Sequence, residues 1–222
     1  MSITLIIVIL TCIISITAFS NVKMKGELLF YPPSIATQKQ YYRFVTHGFV
    51  HGDYIHLAFN MFALYSFGSA VEVQLFEHPC FFGKLGKLVY ILLYITGIIA
   101  ASIPDYIRHR NNTQYASLGA SGAISAVIFS AILLLPKMGI GFIFLPGIDI
   151  PGYIFGPVFL LISAYLDKRG GGNVAHGAHF WGAIYGILFT IIAVTVWGNI
   201  DIWENFMKQM KAPDPFLPYC DI

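Results

Sequence analysis

The sequence predicts an all-α polytopic membrane protein: six transmembrane helices in one bundle, with a longer first loop lying in the membrane interface. Hydrophobic residues make up 57% of the 222-residue chain and charged residues 11%. The mean hydropathy of +0.71 lies outside the range of soluble globular domains. The apolar residues also fall into six runs, with Pro, Gly and charged residues gathered between them. The net charge of +2 comes without a basic block, so nucleic acid is not an expected partner.

Residues 3–19 carry no charge and are just long enough for a hydrocarbon core of about 30 Å at about 1.5 Å per residue. A cleaved signal peptide would need a basic n-region and a small-x-small site, and the stretch has neither. From Ser20 to Asp53, Lys23, Lys25, Glu27, Lys39 and Arg43 alternate with Phe30, Tyr31, Tyr41 and Tyr42. Aromatic rings interleaved with basic groups suit the headgroup zone.

The second helix is placed at 54–76 despite His56, Asn60 and Glu72, since polar groups in a span face the protein interior. His56 and Asn60 are four apart and share one face, where they serve either packing or chemistry. A polar turn over 77–87 leads to a third helix at 88–103, which Pro104 and a polar loop with Asp105, Arg108, His109 and Arg110 bring to an end. Asn111-Asn112-Thr113 fits a glycosylation sequon, but a pattern so short carries no functional weight.

The fourth helix, 117–135, contains Ser121. Residues 136–152 are too rich in Pro and Gly for a span and read as an interfacial hairpin. A fifth helix at 153–166 is short for a full crossing. The polar, glycine-rich loop from Asp167 to Asn173 is expected to be mobile and to act as a lid, and a sixth helix covers 174–197. Residues 1–200 then form a single membrane domain, and 201–222 a tail with no strong pattern. Cys12, Cys80 and Cys220 are odd in number and widely spaced, which reads as buried or incidental thiols rather than a disulfide framework.

With six spans, the second, fourth and sixth helices run in the same direction, so His56, Asn60, Ser121 and His179 lie at one depth below one face. Gly122 and Ala126 on the fourth helix, and Gly182 and Gly186 on the sixth, form small-x-x-x-small faces that let helices pack backbone to backbone. Gly182 and Gly186 follow His179 by three and seven residues, so the packing face also carries the histidine. A serine beside a histidine is the minimal nucleophile and base for acyl transfer. The fourth helix begins near Gly119, which leaves free N–H groups beside Ser121 for an oxyanion, and His56 and Asn60 can add donors. Glu72 is toward the opposite face and Asp53 is in a loop, so a dyad is expected rather than a triad.

These residues resemble the rhomboid family of intramembrane serine proteases. Gly119-Ala120-Ser121-Gly122 is similar to its nucleophile motif and Ala178-His179-x-x-Gly182-x-x-x-Gly186 to its base motif. His51-x4-His56-x3-Asn60 resembles its second-helix motif, and Gly68-x3-Glu72 a feature at the far end of that helix. The resemblance covers about residues 40 to 190. It implies Ser121 as nucleophile, His179 as base, and His56, Asn60 and the Ser121 N–H as oxyanion hole, acting on transmembrane protein substrates in the lipid bilayer without metal or other cofactor. Two positions depart from it. Tyr42-Arg43 stands where many members have Trp-Arg, and Ser125 where many place an aromatic ring against the base, so the support behind His179 is left unassigned. His176 is an extra histidine, read as interfacial.

Other classes fit less well. His47, His51, His56, His176 and His179 suggest metal, but no His-Glu-x-x-His motif supplies a metalloprotease base. A transporter would normally carry more intramembrane carboxylates than Glu72 alone. The remaining alternative is an inactive rhomboid-like protein that binds membrane clients. The resemblance implies a plasma (inner) membrane location, with a cytoplasmic N-terminus and a site opening to the non-cytoplasmic side. That orientation leaves eight of the 13 Lys and Arg residues outside, against the positive-inside rule.

Overall fold

The computed structural model describes residues 1–142, 145–169 and 175–213. Helix α1 (Ile3–Ser20) opens with Ser2 accepting from the Leu5 N–H at 3.2 Å. A second cap comes from far along the chain: the Glu72 carboxylate accepts from the Ile3 and Thr4 N–H groups at 2.6 and 2.8 Å. A carboxylate at a helix N-terminus answers both the orphan donors and the positive end of the dipole, which is how Glu72 can be wholly buried. Glu72 belongs to the continuation of α5 (Tyr54–Ser69), which widens into a π-helix over Ala70–Phe76. Beside it the Thr4 hydroxyl donates to the Tyr90 Oη at 2.9 Å, and a Cβ at Gly68 would stand 2.9 Å from Thr4 Cγ2.

The segment expected as one interfacial loop folds into three short helices, α2 (Val22–Leu28), α3 (Pro32–Gln38) and α4 (Arg43–Thr46), followed by a 3-10 turn at His47–Phe49. Arg43 organises them. Its buried guanidinium donates to the carbonyls of Gly26 and Leu29 at 2.9 and 2.7 Å and to Gln40 Oε1 at 2.6 Å. Five fixed donors on one cation satisfy several chain ends at once without an anionic partner.

At the centre stand α6 (Gly86–His109), α7 (Ser121–Leu134) and α9 (His176–Trp197). Nearly every side chain of α7 is buried. A methyl group at Gly182 would run into the carbonyl oxygen of Gly122, and one at Gly186 into that of Ala126. The two helices therefore touch main chain to main chain. Further along, Thr190 Oγ1 donates to Ser130 Oγ at 2.6 Å inside the same seam.

Strands β1 (Gly139–Phe142) and β2 (Leu145–Pro151) make an antiparallel hairpin, which leads into α8 (Gly152–Arg169). Among the described residues three helices are long and apolar enough to cross a membrane: α1, α6 with its 3-10 lead-in from Gly83, and α9. Ile6, Ile9, Leu10, Ile13 and Ile16 form an exposed stripe on α1 at helical spacing. Such a face is stable only against lipid or another apolar surface. The chain is a mostly helical integral membrane protein.

Several expectations change. Helix α6 continues through Pro104 to His109, because Asp105 and Arg108 are tied down: the Tyr115 hydroxyl donates to Asp105 Oδ2 at 2.7 Å, and Arg108 pairs with Asp167 at 3.0 Å. Residues 117–120 are not helical; Ser117 instead bridges to Phe30. Helix α8 exceeds its expected 153–166 at both ends. Cys80 is disulfide-bonded rather than an incidental thiol. The tail contains α10 (Ile202–Lys211), capped by Asp201, whose Asn205 donates to the Leu134 carbonyl at 3.1 Å and so closes the end of α7. The proposed lid at Gly170–Gly172 lies outside the described residues.

Candidate active site

Three of the four residues before Ser121 are held in turn, by Phe30, His47 and His51. Ser117 exchanges two backbone hydrogen bonds with Phe30, at 2.9 and 3.0 Å. The Gly119 N–H donates to the His47 carbonyl at 2.9 Å, and the Ala120 N–H to His51 Nε2 at 3.5 Å. Gly119 has φ +115°, a conformation that side chains with a Cβ rarely adopt. There is no room for one either, since an added Cβ would lie 2.9 Å from His56 Cε1 and 3.0 Å from Nε2. The chain then turns into α7 with Ser121 as the first helical residue, so its N–H is among the orphan donors of that terminus.

His56 approaches from α5. Its backbone N–H is held by the N-cap Asp53 at 2.8 Å, and its Nδ1 accepts from the Gly52 N–H at 3.4 Å. With Nδ1 as acceptor the ring proton sits on Nε2, the atom that faces Gly119. Asn60, one turn on, donates from Nδ2 to the His56 carbonyl at 2.9 Å. Its buried Oδ1 has no hydrogen-bond partner among the described residues. An orphan of this kind costs about 1–3 kcal/mol and is seldom kept for packing alone.

His179 lies in the first turn of α9. A Cβ at Gly122 would meet the Ala178 carbonyl at 3.4 Å, and Gly182 presses on Gly122, so α9 meets Gly122, next to Ser121, with residues on either side of His179. Among the described residues no hydrogen bond joins the Ser121 hydroxyl to His179. Catalytic hydrogen bonds in ligand-free sites are often long and tighten only with substrate. A recess beside Ser121 is lined by His47, Ser102, Asp105, Gly119 and Ala178.

Three positions escaped sequence reasoning. Phe159 on α8 stacks on His179, with ring centroids 6.1 Å apart and planes 29° off parallel. It supplies from α8 the aromatic support that Ser125, buried on α7, does not. Phe159 sits in an apolar run with Phe155 one turn earlier, and nothing in the run distinguishes them. The others are Ser15, which contacts His51 just ahead of α5, and Gly52, which contacts His56. His176 stands edge-on to His179 at 5.9 Å. His47 Nδ1 is engaged with the Arg43 carbonyl at 2.8 Å, and both His51 nitrogens are engaged, with Ser15 and Ala120.

Fold and site together define a helical membrane protein that presents a serine at the start of a buried helix, with histidines entering from two neighbouring helices. The chain belongs to the rhomboid family: the family model described as Rhomboid domain matches residues 38–196. It is 26% identical over 178 residues to the mouse presenilin-associated rhomboid-like protein, mitochondrial, covering 73% of this chain and 40% of that protein. Similarity to the Arabidopsis thaliana RHOMBOID-like protein 12, mitochondrial, is 29% over 172 residues, covering 70% of this chain and 45% of that one. Rhomboid protease GlpG of Photorhabdus laumondii is 27% identical over 177 residues, covering 78% and 53% respectively. The chain thus spans about half the length, or less, of these relatives.

Proposed function

We propose that the protein is an intramembrane serine endopeptidase that cleaves transmembrane protein substrates with a Ser121–His179 dyad. The observation that carries this reading is the placement of Ser121 at the first residue of α7, with the His56 Nε2 edge against Gly119 and α9 packed on α7 without intervening side chains.

In this reading Ser121 Oγ attacks the substrate carbonyl carbon as its proton passes to His179. The oxyanion takes hydrogen bonds from the Ser121 N–H, His56 Nε2–H and Asn60 Nδ2–H. The carbon–nitrogen bond then breaks, and His179 returns the proton to the leaving amine. Water, deprotonated by His179, attacks the acyl-enzyme and releases a carboxylate product and free serine. Each oxyanion donor is worth about 10²- to 10³-fold in rate.

The same proposal places α5, α7 and α8 in the membrane beside the three long helices, giving six spans in one domain. Ile55, Phe59 and Phe62 on α5, and Ile154, Val158, Leu161 and Tyr165 on α8, are exposed apolar stripes at helical spacing that suit lipid. Substrate is proposed to enter beside α8. The expectation of a plasma membrane finds no support in the mouse and Arabidopsis relatives, which are named mitochondrial, so the location proposed is an integral membrane one. Cysteine accessibility at each loop tests the orientation.

Cleavage of a panel of single-span membrane proteins by wild type and by Ser121→Ala tests the function. Loss of cleavage in Ser121→Ala supports the dyad, and cleavage that survives it rejects the serine. If wild type cleaves nothing and a fluorophosphonate probe that labels an active relative leaves Ser121 unmodified, the chain is a client-binding member without activity.

A further inference from the structure

His51 takes no part in the proposed reaction, yet it is wholly buried between α1 and the loop that precedes Ser121. Its Nδ1 lies 2.9 Å from Ser15 Oγ on α1 and its Nε2 3.5 Å from the Ala120 nitrogen. Ser15 Oγ also lies 2.9 Å from the Phe49 carbonyl oxygen. A hydroxyl has one proton, and a carbonyl can only accept. Ser15 therefore gives its proton to Phe49, and its oxygen accepts from His51, which places the imidazole proton on Nδ1. Nε2 is left as a lone pair aimed at the Ala120 N–H.

The opposite tautomer would set two N–H donors against each other at the Ala120 peptide, with no acceptor between them. The loop could relieve that only by moving Gly119 to Ser121, the backbone whose positive-φ turn at Gly119 faces His56. With the Nδ1–H tautomer, by contrast, the N–H groups of Gly119 and Ala120 are both committed to the protein, to His47 and His51. The Ser121 N–H is then the first one along this stretch left for a ligand.

We infer that Ser15 is a positioning residue: by fixing the tautomer of His51 it holds the Ala120 peptide, and so orients the oxyanion-binding N–H of Ser121. This rests on the protease reading above. It assigns to the first helix, which carries none of the catalytic groups, a role in the acylation step.

The test uses the full chain in detergent micelles. Ser15→Ala is expected to lower kcat about 10- to 100-fold with KM changed less than about twofold, the pattern for an interaction realised in the transition state. Ser15→Thr, which keeps the hydroxyl, is expected to restore most of kcat. Imidazole 15N shifts are expected to report the Nδ1–H tautomer of His51 in wild type and its loss in Ser15→Ala. Wild-type His51 in the Nε2–H tautomer, or a Ser15→Ala kcat within twofold of wild type, overturns the inference. The Ser121→Ala control judges the protease reading separately, and the 15N measurement decides the tautomer even in a protein with no turnover.

Discussion

Gly119 is where the backbone of the site is least replaceable. Its φ of +115° is costly for any residue with a Cβ, by about 1–3 kcal/mol, and a Cβ there would also press on the edge of the His56 ring. Gly119→Ala is expected to slow fluorophosphonate labelling of Ser121 at least about tenfold, while the far-ultraviolet circular dichroism keeps its helical form. Labelling at the wild-type rate would mean that neither the turn nor the His56 contact matters to the reactivity of Ser121. At this scale the sequence is legible wherever a residue has a chemical reason to stand out: Ser121, His179, His56 and Asn60 are polar groups in apolar runs. Ser15 is equally polar, but a lone serine in a membrane helix is ordinary. Only its distances to Phe49 and His51 set it apart.

Helix α8 holds part of the site without contributing a catalytic group. Phe159 packs on His179 and also lies against Phe129 of α7 and Phe155 one turn before it. The proposed base, His179, thus rests on the helix beside which substrate is proposed to pass, and displacing α8 withdraws that contact. Phe159→Ala is expected to reduce kcat about tenfold with a smaller change in KM, whereas Phe159→Tyr keeps the ring and most of the rate. Equal loss in both variants would point to crowding at the position rather than to stacking.

Helix ends show the same division between local and tertiary causes. Pro104 is a fair reason to end a helix, since it removes one hydrogen bond and crowds the preceding turn. Here α6 runs on because Tyr115, just past the helix, and Asp167, 59 residues from Arg108, engage Asp105 and Arg108. Helix α7 starts four residues later than its apolar run, at Ser121, because Phe30, His47 and His51 claim the backbone of residues 117 to 120. Hydrophobic periodicity reports neither effect. The short helices around Arg43 were hidden for a related reason, since a single buried guanidinium orders them.

For the molecule as a whole, burial of histidines links stability to pH. Burial pushes His47 down from its ordinary value of 6.5 to about 4, with the Arg43 carbonyl opposing the shift. His51 is lowered to about 3, first by burial and then by His56, with Asp53 opposing. Above about pH 6.5 both are neutral whether folded or unfolded and stability is unaffected. As pH falls below that, the unfolded chain binds protons that the folded one refuses. Stability is then lost until about pH 4 for His47 and pH 3 for His51, where the folded forms titrate too. The expected loss between about pH 7 and pH 5 is about 2 kcal/mol for each histidine. Thermal midpoints in detergent should fall over that interval, and Phe or Gln at position 47 should flatten the fall. An unchanged slope in such a variant would rule out His47 as a source.

The membrane class was legible from composition, because nothing soluble can hide so much apolar surface. How the helices associate was legible only where small residues gave it away. The contact of Gly182 with the Gly122 carbonyl makes the spacing of the helices that carry Ser121 and His179 a property of two main chains. No side chain stands between them to be lengthened, shortened or swung aside. Under the proposed function, substitutions have little freedom to retune that spacing, and changes in rate or selectivity must come from the parts that lean on the seam from outside, above all α8 and the loop ahead of Ser121.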